Sequence, residues 1–329
     1  MASPIFDLKN IFIVFGVGAG GNFIAGLLKK IIDSDLTELK IRESGSSHTI
    51  SNNTPLNFGM ISEEHIEFKS LEEREISYLK RIENECANII SPQIIWTHDF
   101  TNVPLYKKHF KNSKVLMITH DSYLSRLSSI FMHVMKTFLD TNVNIPLREP
   151  YKNRVFNKWN RDIKNEMSSY FSQQDIDTIF NKRETELIAK DIITYFSLQW
   201  LVKIFGVEQF LHGINNCDTC IYDFATYPNM SNNSPNNMFI VGENYYDYTH
   251  LSDATLSYSY LIENNLSLLL TAIEQLIERP LTEVEIKFVD REFTSYSNAQ
   301  NKQILSDPIG YYFNAKKIAM SYVDTIRWE

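Results

Sequence analysis

A chain of 329 residues with 43% hydrophobic and 22% charged residues can bury a sizeable core, as one large domain or as a domain with an insertion. Its net charge of −8 and pI near 5.6 exclude the broad basic surface that sequence-independent nucleic-acid binding needs, so any anion site is a local pocket. Three cysteines (Cys86, Cys217 and Cys220) exclude a disulfide framework, and Cys217-x-x-Cys220 lacks the second pair that would complete a zinc site, so free thiols are expected. No apolar run reaches the length of a membrane span, and the first residues carry no basic stretch before an apolar core. A cytoplasmic protein without membrane or nucleic-acid partners is therefore expected; the oligomeric state is not legible.

Taken in order, the run Ile11–Phe15 reads as a buried strand that enters the glycine-rich turn Gly16-Val17-Gly18-Ala19-Gly20-Gly21-Asn22 and then a helix to about residue 33. A strand, a glycine turn and a helix N-terminus together present unpaired N–H groups and the positive end of the helix dipole, which suits a phosphate or sulfate. Leu39–Arg42 reads as a short second strand, followed by a small-residue loop through His48. Residues 62–90 have helical spacing. Gln93–Thr97 and Lys114–Thr119 are further buried strands, ending at His98-Asp99 and His120-Asp121, and a helix spans about 123–139. Asp99 and Asp121 are expected to cap the helical segments after them.

Residues 150–210 read as helical, with amphipathic stretches around 159–171 and 184–205, and a helical insertion over 140–210 follows. Thr219–Phe224 and Met238–Val241 are short strand candidates, and Thr282-Glu-Val-Glu285 is a capping box opening a helix to about 303. Strands alternating with helices imply an α/β fold with a central, mostly parallel sheet whose ligands sit at the carboxyl edge.

The turn alone is ambiguous. Gly16-x-Gly18-x-x-Gly21, with Glu43 in place for a ribose hydroxyl, fits a Rossmann-type site for NAD or S-adenosylmethionine. The lack of a Gly-Lys-Ser/Thr ending excludes an ordinary Walker loop. The remaining strand ends carry a more specific pattern. The turn with Leu27-Leu28 in its helix resembles the phosphosulfate-binding loop of sulfotransferases that use 3′-phosphoadenosine 5′-phosphosulfate. Ile94–Phe100 resembles that family's strand ending in Lys-Thr-His, and Val115–Ser128 its strand ending in Arg-Asp with a serine eight residues after the arginine.

The resemblance covers the first 140 residues or so. It implies a P-loop-like α/β architecture and transfer of a sulfuryl group to a hydroxyl acceptor, a small molecule or a glycan. It implies that Gly18, Ala19, Gly20, Gly21, Asn22 and Phe23 hold the 5′-phosphosulfate. His98 is then the catalytic base, and His120 and Ser128 meet the 3′-phosphate. His48 is placed to line the acceptor side. Ala19, Trp96 and His120 stand where the family has basic residues, with Lys29, Lys30, Lys107, Lys108 and Arg126 available to compensate. A non-catalytic binding protein on the same fold is the alternative those departures favour.

Overall fold

The computed structural model describes residues 4–16, 18–39, 56–57, 71–97, 102–120, 123–139, 149–183, 185–204, 248–323 and 325. They form two compact units, Met1–Arg126 with Tyr222–Ala299, and Leu127–Ile221 with Gln300–Glu329.

The first unit is built on a five-stranded sheet of β1 (Ile11–Phe15), β2 (Leu56–Asn57), β3 (Ile94–Thr97), β4 (Lys114–Thr119) and β5 (Ala254–Ser257). Its order is β2-β3-β1-β4-β5 and every pairing is parallel. β1 is the central strand, with Val14 level with Thr97 on one side and Met117 on the other. No residue of β1 is more than 6% exposed, which is why it is a continuous apolar run rather than an alternating one.

Alternation along the strands sends Phe12, Val14, Ile95, Val115 and Met117 to one face. There they bury against Tyr78, Ile82 and Cys86 of α2 (Leu71–Glu85) and Val103 and Tyr106 of α3 (Val103–His109). Tyr106 stacks on Phe12 at 4.4 Å between ring centroids, and its hydroxyl is 2.9 Å from that of Tyr78. On the opposite face Phe15 lies beside Trp96, 5.9 Å between ring centroids. The helix α1 (Gly21–Ile32) packs against β3, β1 and α10 (Glu283–Asn298), and α9 (Leu266–Ile277) against β4 and β5. Phe23 of α1 stacks on Tyr296 of α10 at 4.1 Å and 4°, a contact worth about 0.5–1.5 kcal/mol beyond its buried area.

The second unit is helical. It holds α4 (Tyr123–Leu139) from Leu127 onward, α5 (Glu149–Met167), α6 (Gln173–Lys182), α7 (Leu187–Ile204), α11 (Lys302–Ser306) and α12 (Pro308–Val323). The expected amphipathic stretch over 184–205 is α7, but Ile192, Ile193, Phe196, Leu198, Leu201 and Val202 are all buried. Those positions go round the helix, because α5, α6 and α12 pack against it. The C-terminal helices α11 and α12 join the segment read as an insertion in this unit.

Several boundaries differ from the expectations. Leu39 is not in a strand; its N–H donates to the Glu292 carboxylate at 3.0 Å. β5 was not anticipated: Thr255 faces out and Ser257 is half-buried, so its apolar signal is weak and pairing with β4 creates it. The helix opened by Thr282 stops at Asn298 rather than near 303, because the Asn301 side chain accepts from the N–H groups of Gln303 and Ile304 and starts α11. Cys86 is a buried free thiol. Cys217, Cys220, Asp99, Asp121 and the strand candidates at 219–224 and 238–241 lie outside the described residues.

The capping box of α10 is formed in full. Thr282 Oγ1 accepts from the Glu285 N–H, and Glu285 Oε2 accepts from the Thr282 N–H at 2.8 Å. Arg279 adds two donors to the same carboxylate, at 2.6 and 2.9 Å, and chiefly for that reason the Glu285 pKa falls to about 2. A carboxylate with a lowered folded-state pKa contributes stability above its unfolded value and loses it as pH falls. Glu285→Gln is therefore expected to lower stability by about 1–2 kcal/mol at pH 7. Thermal melts of the variant should also flatten the stability loss that the native chain shows between about pH 4.5 and pH 2.

Candidate functional site

The carboxyl end of β1 is where the connections of the sheet part. From β1 the chain leaves toward the β2 edge, whereas β3 and β4, on either side of it, both feed strands lying toward β5. In open parallel sheets ligands bind at such a point. The segments that follow β1, β3 and β4 are the glycine turn, the residues beginning at 98, and His120. These three motifs, distant in sequence, thus issue from three adjacent strands.

The turn is tight. The Ala19 N–H donates to the Gly16 carbonyl at 3.1 Å, and the Gly20 carbonyl receives the N–H groups of Phe23 and Ile24. Gly20 is the N-cap of α1, with φ 79°, and Gly18 has φ 81°. Packing also demands glycine here. A Cβ on Gly20 would stand 2.7 Å from the Tyr260 hydroxyl and 3.1 Å from that of Tyr296, and one on Gly21 would enter the Phe15 ring at 2.0 Å. On Gly16 it would meet His120 Cε1 at 3.3 Å. Gly18, Gly20 and Asn22 remain partly exposed, while Ala19 and Phe23 are fully buried.

His120 is 5% exposed, set between Gly16 and the Tyr258 ring, whose centroid is 5.1 Å away. Tyr258 follows β5 directly, its N–H donating to the Thr119 carbonyl at 2.7 Å, and Tyr260 lies in the short helix α8 (Ser259–Ile262). The hydroxyls of Tyr258 and Tyr260 are buried and have no hydrogen-bond partner among the described residues, a state that costs about 1–3 kcal/mol each. Desolvation raises both phenols well above their usual pKa and raises Tyr296 as well, so all three stay protonated.

Gly18, Ala19, Gly20, Gly21, Asn22, Phe23 and His120 thus lie together at the head of the sheet. Ser128 belongs to the second unit, where it is 1% exposed and its hydroxyl donates to the Ile304 carbonyl at 3.0 Å. His98, His48 and Glu43 lie outside the described residues. Three of the five cations available to compensate are held in ion pairs away from the turn. Lys29 pairs with Asp33 at 2.6 Å and Lys30 with Asp35 at 2.5 Å, in the last turn of α1, about 13 Å along the helix from its start. Lys107 pairs at 2.8 Å with Asp253, just before β5, at the opposite edge of the sheet. Among the described residues no cluster of three His, Cys, Asp or Glu side chains could hold a metal ion, and no helix is long and apolar enough to cross a membrane.

Sequence reading missed Tyr258, Tyr260 and Tyr296. The only local hint was Tyr258-Ser-Tyr260, an alternation after an unrecognised strand; Tyr296 is one more apolar position on a helix. Tyr248 packs against the cluster between the sheet, α2 and α3. No protein-family model matches the chain, and comparison with curated proteins and with solved structures finds no match.

Gly20→Ala is expected to be among the most damaging single changes at the turn. It forces a left-handed alanine, at about 1–2 kcal/mol, and crowds two buried phenols, at about 1–3 kcal/mol. Adding Tyr260→Phe should recover part of the crowding loss and none of the backbone loss. Denaturant unfolding of the two variants measures both parts.

Proposed function

We propose that this chain is a sulfotransferase-like protein that binds 3′-phosphoadenosine 5′-phosphosulfate at the turn between β1 and α1 and serves transfer of its sulfuryl group to a hydroxyl. The observation that carries this reading is the adjacency of β3, β1 and β4, the strands whose ends bear the family-like motifs. What supports an oxyanion at the turn is the N-terminus of α1 and, beside it, the buried Tyr260 hydroxyl, which has no hydrogen-bond partner among the described residues. A Rossmann-type reading is less well supported. The dinucleotide-binding order 3-2-1-4-5-6 sets the second strand beside the first, whereas here β1 is flanked by β3 and β4.

In this reading the backbone N–H groups of Gly18, Gly20, Gly21 and Asn22 hold the phosphosulfate end, those of Ala19 and Phe23 being given to the Gly16 and Gly20 carbonyls. His98, one residue beyond β3, takes the proton of the acceptor hydroxyl as its oxygen forms a bond to sulfur, and the bond from sulfur to the 5′-phosphate oxygen breaks. The bound donor supplies the sulfuryl group. The proton of Ser128 is committed to Ile304, so the reading asks no contact of it. A second reading, binding without transfer, is favoured by one observation: Ala19, at the position of the family's lysine, is fully buried.

Thermal shift with adenosine 3′,5′-bisphosphate, NAD, S-adenosylmethionine and ATP tests the reading. The bisphosphate should stabilise the chain by about 2.7 kcal/mol at a hundred times its dissociation constant; stabilisation by NAD or S-adenosylmethionine alone would favour the Rossmann alternative. With the donor and a panel of hydroxyl acceptors, His98→Ala should keep the bisphosphate shift and lose about 10²–10⁴ in turnover. Binding without turnover in the native chain selects the second reading.

A further inference from the structure

The N-terminus of α1 has more around it than its own amides. Gly20, the N-cap residue, has no side chain, and the Tyr260 hydroxyl comes to 2.7 Å of the point a Cβ would occupy. The missing side chain and the approaching phenol are two halves of one arrangement. Tyr260 is 0% exposed and its hydroxyl oxygen has no hydrogen-bond partner among the described residues. Tyr258, two residues earlier, is likewise 0% exposed with an unpartnered hydroxyl, against His120. Buried hydroxyls are almost always bonded, so one left unmet beside the helix terminus and a second beside His120 point to a group that completes them.

We propose that Tyr260, with Tyr258 behind it, donates hydrogen bonds to a tetrahedral oxyanion, a sulfate or phosphate group, held at the N-terminus of α1. This rests on the reading of that terminus as an oxyanion site and adds the side chains that serve it. The phenols supply neutral donors at a turn where Ala19 provides none and where Lys29, Lys30 and Lys107 are paired elsewhere. Gly20 is the residue that allows it, because any Cβ there would keep the hydroxyl away. Burial also keeps the phenols protonated, hence donors, at any pH near neutral.

The test is Tyr260→Phe, with binding of adenosine 3′,5′-bisphosphate, inorganic sulfate and inorganic phosphate followed by thermal-shift titration. The ligand-free variant should melt at the native temperature or above it, because the deleted hydroxyl has no partner among the described residues to orphan. Its affinity for the anions that bind the native chain should fall about 10- to 100-fold, as expected for a lost bond to a charged group. Tyr258→Phe should show the same pattern with a smaller loss. In the native chain, tyrosine labelled with ¹³C at Cζ should report a shifted Tyr260 resonance on adding sulfate, which tests the contact without any substitution. Unchanged affinity in Tyr260→Phe, an unmoved resonance, or a ligand-free variant that melts several degrees lower overturns the proposal. If the native chain binds sulfate or phosphate through Tyr260 but ignores the bisphosphate, the donor role stands and the sulfotransferase reading falls. If it binds no anion, both fall.

Discussion

The strand β1 is hydrogen-bonded on both edges and covered on both faces, and most of the first unit follows from that. A strand in this position has nowhere to put a polar side chain, so Ile11–Phe15 is uniformly apolar and at most 6% exposed. Its neighbours β3 and β4 must be nearly as apolar, and its exit must turn at once, because the next segment is a helix packed back on the same sheet. The head of β1 is consequently the place where helix-terminal N–H groups, the end of β3 and the end of β4 come closest along the sheet edge.

The glycines of the turn answer two demands. Gly21 is glycine because Phe15, the last residue of β1, folds its ring against it, and Gly20 because two phenols and a left-handed backbone both exclude a Cβ. A glycine-rich strand-to-helix turn is therefore not by itself a ligand signature, since packing alone would retain these two residues. What sets this turn apart is the chemistry of what packs there. A phenylalanine would fill the space of Tyr258 or Tyr260 equally well, without the penalty of a buried, unmet hydroxyl.

Electrostatics at the turn contrasts with the sulfotransferase pattern the motifs resemble. Lysine pairs at the far end of α1 and at the amino edge of the sheet stabilise local structure, being partly exposed and worth little each. Ala19 is buried and Trp96 packs beside Phe15. Of the positions that the resemblance makes basic, Ala19 is thus absorbed into the core and Trp96 is half-buried, and what the proposed site offers an anion is the helix dipole, backbone N–H groups and hydroxyls.

The sequence by itself determined the local elements: the strands Ile11–Phe15, Ile94–Thr97 and Lys114–Thr119, the helix Tyr123–Leu139, the glycine turn and the Thr282–Glu285 box. Each is written in consecutive residues, as an apolar run, a helical period or a cap, and its signal needs no distant partner. Tertiary structure alone decided that β3 and β4 flank β1, that Ala254–Ser257 is a strand, that α7 is buried all round, and that Tyr260 and Tyr296 close on Gly20 while Tyr258 closes on His120. Those features come from pairing and packing between residues far apart in the chain, where no local periodicity records the contact. A tyrosine on an apolar face looks the same in sequence whether its hydroxyl meets solvent or the N-cap of a helix.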